Sequence, residues 1–251
     1  MTNMTEGRRL SWQGEWRITL FTALVLPVLV SLGFWQLERA AEKELIGERW
    51  VQRQSQAPVP LAELGTDPAE LAYRRVLLRG EWLEGRDFLL DNRMLQGRYG
   101  MEVISPLRLL NSATVVLVNR GWVAGDPARR QLPQYGPVGP VNELVAEIYV
   151  PPGEAYTVGE PPAQQEWPRQ LIALDTVLMG QMLGEEVYPY TVRLQADNPQ
   201  ALTVDWPLVN STPEKHRAYA TQWFSMATVL VLLFLVRSTN VWTLLKGRKE
   251  G

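Results

Sequence analysis

The stretch ITLFTALVLPVLVSLGFWQL, residues 18–37, contains no Asp, Glu, Lys or Arg. A second stretch of the same kind, AYATQWFSMATVLVLLFLV, covers residues 218–236. A helix needs roughly 20 apolar residues to cross a hydrocarbon core of about 30 Å, and both stretches have this length. The sequence therefore predicts a membrane protein with two transmembrane helices, at 18–37 and 218–236.

Charged residues outside the two stretches predict the orientation. Both tails, residues 1–17 and 237–251, carry basic side chains: Arg8, Arg9, Arg17, Arg237, Lys246, Arg248 and Lys249. Because segments rich in Lys and Arg stay on the cytoplasmic side, we expect cytoplasmic tails and an external domain over residues 38–217. No Ala-x-Ala-like cleavage site or organelle transit peptide is evident, so we expect a retained anchor in a bacterial inner membrane and a periplasmic domain.

The composition excludes several classes of function. The chain has no cysteine and a single histidine, His216, at the border of the second apolar stretch. Disulfides, iron–sulfur clusters, thioether-linked haem, cysteine-ligated copper or zinc, and a Ser-His-Asp triad in the external domain are therefore excluded. Phosphate-loop and nucleophile-elbow motifs are missing, so we do not expect an enzyme. The net charge of -2 gives no reason to expect a nucleic-acid partner.

The external domain is predicted to be rich in strands. Helical composition continues past the first apolar stretch through Val51. Patterns typical of strands follow at residues 76–82, 88–92, 101–106, 114–119, 143–149, 170–174 and 188–195, separated by linkers rich in Gly and Pro at 132–140 and 151–162. Asp175 and Gly184 predict the caps of one short helix, residues 176–183. The pattern favours a mainly antiparallel barrel or sandwich with one short helix.

Two polar clusters, Asp91-Asn92-Arg93 and Asn119-Arg120-Gly121-Trp122, each end a predicted strand. The ordinary interpretation is structural, because Asn and Gly adopt left-handed turn conformations and Trp fills cores. Binding is the alternative.

The residues around His216 suggest a ligand site. In a helix, His216, Tyr219 and Trp223 lie at positions i, i+3 and i+7 and share one face, with the small residues Ala220 and Ala227 beside it. Such a face suits a flat aromatic ligand whose metal is bound by the imidazole.

Cations on the first helix are predicted at the same depth as the histidine. Arg39 and Lys43 fall on one side with Gln36, and antiparallel spans bring them level with His216, where they suit haem propionates. The alternative is interfacial anchoring, since Trp, Tyr, Lys and Arg gather at membrane surfaces without binding anything. The neighbouring acids Glu38 and Glu42 are also placed to neutralise these cations.

These residues resemble the surfeit locus protein one family. The resemblance covers nearly the whole chain and rests on Gly33–Arg39 with Lys43, Asp91–Arg93, Gly97–Gly100, Val103–Leu107, Asn119–Trp122 and His216–Phe224. One local departure is Arg217, where many relatives have an apolar residue. The resemblance implies an assembly factor for haem-copper cytochrome c oxidase that receives haem a and presents it to the large oxidase subunit.

The resemblance also implies site residues and partners. His216 matches the family's proposed haem-iron ligand, and Trp223 is implicated beside it. The expected partners are the large oxidase subunit, assembly intermediates and the lipid bilayer, with a haem a synthase as a candidate donor. The competing hypothesis is a haem-free scaffold that docks on assembly intermediates through Asn119–Trp122 and the Pro-rich loops. A copper-binding oxidase subunit is excluded because the chain has no ligand set for that centre.

Overall fold

The computed structural model describes residues 12, 14–140, 143–151, 166–208 and 211–240. The basic residues Arg8, Arg9, Lys246, Arg248 and Lys249, and all of the predicted linker 151–162 except residue 151, lie outside the described residues. The chain forms two compact units, one of residues 1–48 with 208–251 and the other of residues 49–207.

The described elements, in chain order, are α1 (Trp16–Gln54), β1 (Val59–Pro60), α2 (Pro68–Leu71), β2 (Arg75–Leu78), β3 (Gly80–Trp82), β4 (Phe88–Leu95), β5 (Arg98–Leu109), β6 (Val115–Ala124), β7 (Leu144–Tyr149), β8 (Arg169–Leu171), α3 (Thr176–Leu183), β9 (Thr191–Leu194) and α4 (Pro213–Ser238). All predicted strand regions contain an observed strand. The two long helices flank the strands, as predicted.

Helices α1 and α4 contain the two predicted spans. They are 39 and 26 residues long, and both are long and apolar enough to cross a membrane. The predicted helical continuation through Val51 is confirmed, since α1 ends at Gln54. Helix α4 begins at Pro213, upstream of the predicted span. Proline is favoured at the start of a helix, since the backbone N–H groups of the first turn have no partner within the helix and its missing N–H costs nothing there.

The strands close into a barrel. Strand β2 pairs with β7, and the order continues through β9, β6 and β5. Strand β3 follows β2 after a single residue and pairs with β5. The chain segment that begins the order, β2 with β3, therefore also pairs with its last strand, β5. The first part of β5, up to Ile104, pairs with β4 on the edge where its last part, Leu107–Leu109, pairs with β3.

The predicted mainly antiparallel pairing is confirmed, and the sheet also includes parallel pairs. The pairs β1–β2, β4–β8 and β6–β9 are parallel. The remaining pairs among the named strands are antiparallel. Alternation of apolar residues is the same in both kinds of pair, so it does not reveal the direction of a partner strand.

Apolar side chains pack on both sides of the sheet. The barrel interior contains Val76, Val118 and Ile148, which are fully buried. A second cluster joins Phe88 of β4 to Met179 of α3. Helix α3 has its predicted bounds: the Asp175 carboxylate accepts a hydrogen bond from the Leu178 amide at 2.9 Å, and Gly184 adopts a left-handed conformation with φ of 72°. Burial of each large apolar side chain in these two clusters contributes roughly 1.5–3 kcal/mol to the free energy of folding.

The two polar clusters do not end strands, contrary to the prediction. Asp91–Arg93 lies inside β4 and Asn119–Trp122 inside β6, each at a shift of strand register. Asn92 has φ of 60° and Gly121 has φ of 122°. The predicted left-handed conformations are therefore present, but they form bulges, which add a residue within a strand.

Candidate ligand site on the paired helices

Small residues form the contact face of α1 and α4. Gly33 and Ala40 are buried on α1, and Ala220 and Ala227 are buried on α4. A Cβ atom on Gly33 would lie 2.5 Å from a ring carbon of Phe224. Small side chains allow the two backbones to approach closely, as in helix pairs within membranes.

Contacts hold the two helices antiparallel along their length. At one end, Arg237 of α4 forms an ion pair with Glu15 at 2.6 Å, and Trp12 packs edge-on against Phe234 with 5.5 Å between ring centroids. Toward the other end, His216 of α4 contacts α1. The helix pair therefore places the start of α4 level with residues near position 36 of α1.

His216 is held by a hydrogen bond between the helices. Its Nδ1 lies 2.7 Å from Oε1 of Gln36. An amide oxygen only accepts hydrogen bonds, so Nδ1 is the donor. In the neutral imidazole the lone pair then lies on Nε2, which no described residue engages. This arrangement presents one imidazole nitrogen to a ligand.

Trp223 lies on the same face as His216, two turns and about 10 Å further along α4. Its Nε1 atom is buried and has no hydrogen-bond partner within the described parts of the chain. Tyr219 differs, because 46% of its surface is exposed. Of the two predicted aromatic residues, Trp223 therefore carries a buried donor without a described partner, whereas Tyr219 is exposed.

The two predicted cations on α1 differ in availability. Arg39 forms an ion pair with Glu42 at 2.6 Å, and its guanidinium lies 6.0 Å from the Trp35 ring centroid. The charge of Arg39 is therefore neutralised by Glu42. Lys43 forms no ion pair with a described residue, and it lies two turns beyond Gln36 on the same side of α1. Lys43 is therefore the freer of the two cations.

Sequence reasoning missed two contacts between the helices. The first is the contact between Gln36 and His216. The sequence placed Gln36 on the same side of α1 as Arg39 and Lys43, and that position could have indicated a contact with His216. Arg217, where an apolar residue was expected, forms an ion pair with Glu44 of α1. The charge of Arg217 is therefore matched within the helix pair.

The polar clusters of the barrel are occupied by partners in their own domain. Asp91 accepts a hydrogen bond from the Tyr99 hydroxyl at 2.6 Å and forms an ion pair with Arg129 at 3.1 Å. Asn119 donates to Glu102 at 2.7 Å. Arg120 is 2% exposed. The clusters therefore have the structural role that was the ordinary interpretation.

Arg120 and Trp122 tie the same cluster to neighbouring segments. Arg120 donates to the carbonyl oxygens of Gln200 and Gly136, both at 3.0 Å, and burial lowers its pKa. Trp122 donates from Nε1 to the carbonyl of Arg93 at 2.9 Å, joining the two bulges. Because Asn119 and Arg120 are buried, Asn119–Trp122 does not supply the docking surface that the scaffold hypothesis assigned to it.

A buried carboxylate on β7 was also missed from sequence. Glu147 is 5% exposed and accepts hydrogen bonds from Trp50 at 3.2 Å and from Gln54, both in the last turns of α1. Burial raises the pKa of Glu147, against the opposing effects of Trp50 and the nearby Arg193. The guanidinium of Arg193 stacks over the Tyr149 ring, 3.4 Å from its centroid. This cluster fastens the end of α1 to the barrel.

The residues present fit a haem better than a bare metal ion. Within the described segments, no group of three or more His, Cys, Asp or Glu side chains is placed to hold a metal ion. A haem requires less from the protein, because its porphyrin already supplies four nitrogens to the iron. His216 would hold the iron through Nε2, and Trp223 and Lys43 would supply a donor and a cation that have no hydrogen-bond or ion-pair partner among the described residues.

Comparison with known proteins identifies the family. The model of the SURF1 family matches residues 23–228. A SURF1-like protein of Rickettsia felis is 24% identical over 90% of this chain and 98% of its own length. SURF1-like proteins of Monosiga brevicollis, 27% identical over 86% of both chains, and of Drosophila melanogaster, 31% identical over 54% of this chain and 50% of its own, are also similar. With two apolar helices flanking a strand domain and a family match over most of its length, this chain belongs to the SURF1 family.

Proposed function

We propose that this chain is an assembly factor for haem-copper cytochrome c oxidase. In this role it binds haem a through His216 and aids insertion of the haem into the large oxidase subunit. Membership of the SURF1 family supports the oxidase role. The observation that carries the binding proposal is the His216–Gln36 hydrogen bond of 2.7 Å, which leaves Nε2 of the imidazole free for a metal.

Each site residue has a separate part in holding the ligand. Nε2 of His216 would hold the haem iron, and the haem would supply a metal centre that accepts a nitrogen ligand. Trp223 would donate from Nε1, which has no partner among the described residues, to a polar atom of the ligand. Lys43 would hold a propionate more readily than Arg39, because Arg39 is paired with Glu42.

A carrier must also release its ligand. His216 is the only histidine in the sequence, so the chain cannot clamp the iron between two imidazoles. Ala220 and Ala227 are buried in the contact between the two helices and supply no polar group to a ligand. Binding through one axial nitrogen and a few peripheral groups suits transfer to a site with more ligands.

The proposed location is a bacterial inner membrane. The apolar lengths of α1 and α4 suit a bilayer, and the basic tails favour a cytoplasmic location for both termini. Residues 38–217 then lie in the periplasm, and His216 lies at the periplasmic edge of the membrane. The proposed partners are the large oxidase subunit and its assembly intermediates, with a haem a synthase as donor, and no enzymatic activity is assigned.

The binding proposal is tested by visible absorption spectroscopy. Protein purified in detergent from cells that produce haem a should show a Soret band, and pyridine extraction should identify the pigment as haem a. His216→Ala should abolish the band. Gln222→Ala, an exposed substitution on the same helix, should retain it. An unchanged spectrum in His216→Ala contradicts ligation by this residue.

A haem-free scaffold is the second candidate function. Exposed apolar side chains on the strand domain favour it: Met94, Ile172 and Val177 are 60%, 61% and 71% exposed. Exposed apolar surface is a common feature of docking sites. Normal oxidase assembly in cells that carry only His216→Ala would support the scaffold and contradict haem delivery.

A further inference from the structure

We infer that Gln36 is a positioning residue that selects the Nδ1–H tautomer of His216 and thereby presents Nε2 to the ligand. The use of that nitrogen for haem rests on the proposed function. The selection of the tautomer does not, because it follows from the contact between Gln36 and His216.

The physical basis is the choice between two neutral forms of imidazole. In water, neutral histidine favours the form with its proton on Nε2, which leaves only Nδ1 to bind a metal. The Gln36 Oε1 atom lies 2.7 Å from Nδ1 and can only accept, so it stabilises the form with the proton on Nδ1. A hydrogen bond to one ring nitrogen fixes which nitrogen is free for a metal.

Other groups near the site do not replace Gln36 as an acceptor. Lys43 and the Nε1 of Trp223 are donors only. The Glu42 carboxylate is engaged by Arg39 at 2.6 Å. Within the described part of the helix pair, Gln36 is therefore the acceptor that faces Nδ1.

A neutral amide also suits a ligand that must leave. A carboxylate bonded to the distal nitrogen of a metal-bound imidazole increases the basicity of the imidazole and strengthens its bond to the metal. The amide of Gln36 orients the ring with a smaller increase in basicity, because it carries no negative charge. Gln36 thus fixes the direction of His216 without strengthening the iron bond as a carboxylate would.

The single histidine permits a direct test without haem. The full-length protein is labelled with ¹⁵N-histidine in detergent micelles, and long-range ¹H–¹⁵N spectra then report the tautomer of one residue. At a pH where the imidazole is neutral, the proton should lie on Nδ1 in the wild type. It should move mainly to Nε2 in Gln36→Leu and stay on Nδ1 in Gln36→Glu.

Matched variants separate positioning from folding. Gln222→Leu, an exposed substitution of the same kind on α4, should keep the wild-type tautomer. Gln36→Glu preserves the length of the side chain and an acceptor oxygen, so it tests the inference even if Gln36→Leu does not fold. A wild-type proton on Nε2, an unchanged tautomer in Gln36→Leu, or a move to Nε2 in Gln36→Glu overturns the inference.

Haem binding supplies the second measurement. Gln36→Leu should retain a Soret band but bind haem about 10- to 100-fold more weakly, the usual cost of removing the partner of a metal-bound histidine. Gln36→Glu should raise the frequency of the iron–histidine stretch. If the tautomer responds as expected but the wild type binds no haem, the proposed function fails and the role of Gln36 stands. If His216→Ala abolishes binding but Gln36→Leu leaves the tautomer unchanged, the role of Gln36 fails alone.

Discussion

The strand domain and the helix pair use their polar residues differently. In the strand domain, the side chains of Asp91, Asn119 and Trp122 are bonded to groups of the same domain. In the helix pair, His216 has one ring nitrogen bonded and Trp223 has a buried donor without a described partner. Buried atoms without a described partner also occur in the strand domain, for example Nη1 of Arg120. The two regions therefore differ in one respect: the barrel motifs are tied to their own domain, whereas the single histidine of the helix pair has one ring nitrogen unengaged.

The physical setting explains this difference. A barrel can satisfy a buried polar group by a bulge, a carbonyl or a neighbouring strand, and unsatisfied groups are costly. Two apolar helices offer few such partners, because their backbone groups are already bonded within each helix. Thr22 and Ser238 are also buried on these helices with hydroxyl oxygens that have no described partner, so a buried polar group alone does not indicate a function. His216 differs because a contact from the other helix fixes its ring.

The largest expected effect is on the stability of the barrel. Asp91→Ala removes the acceptor of the Tyr99 hydroxyl and the partner of Arg129, so the free energy of unfolding should fall by about 2–3 kcal/mol. Urea unfolding in detergent, followed by circular dichroism, measures the change. Asp197→Ala, at an exposed position, should change stability by less than about 0.5 kcal/mol.

Asp91→Ala also tests the comparison directly. Protein that remains folded should bind haem with wild-type affinity, because the Asp91 carboxylate is bonded to Tyr99 and Arg129 within the strand domain. Loss of haem binding by folded Asp91→Ala, with little loss of stability, would reverse the assignment of roles to the two regions.

A smaller effect is expected for the cations on α1. Lys43→Gln should weaken haem binding about tenfold, which corresponds to the loss of one charge-assisted contact of about 1.4 kcal/mol. Arg39→Gln should weaken it less, because Arg39 is already paired with Glu42. Titration of haem into detergent-solubilised protein gives both affinities. Equal losses in the two variants would show that the Arg39–Glu42 pair opens freely.

The smallest effect concerns pH and the end of α1. Burial raises the pKa of Glu147 above 4.5, so the folded protein holds this proton more tightly than the unfolded chain. Stability should therefore fall as pH rises from about 4.5 through the folded-state pKa of Glu147. Glu147→Gln removes the titrating group while its amide oxygen still accepts from Trp50.

The measurement is urea unfolding across a series of pH values. Glu147→Gln should flatten the decline in stability within that window. Glu81→Gln, at an exposed position on β3, should leave the decline unchanged. An equal decline in the wild type and in Glu147→Gln would assign it to other groups.

Local patterns predicted the elements more reliably than their partners. The caps Asp175 and Gly184 gave the bounds of α3, because capping depends on neighbouring residues alone. The bulges at Asp91–Arg93 and Asn119–Trp122 were instead assigned to strand ends. Their left-handed residues are the same in a turn and in a bulge, and only the pairing strands distinguish the two.

The candidate site was predicted in part. The helical spacing placed His216 and Trp223 on one face, and antiparallel spans placed the cations of α1 near that level. Neutralisation of Arg39 by Glu42 was expected as an alternative and is observed, but the spacing did not show that Tyr219 is exposed or that Gln36 holds His216. Those facts depend on how two helices rotate against each other, which the small residues of both faces decide together.

The sequence by itself determined the two apolar helices, the strand-rich domain between them and the single imidazole. These follow from hydropathy, alternation and composition, which each residue carries without reference to distant ones. Only the tertiary structure decided the closure of the barrel, the parallel pairs and the free nitrogen of His216. Each of these depends on groups that are far apart in the chain, such as Gln36 and His216, and that meet only after folding.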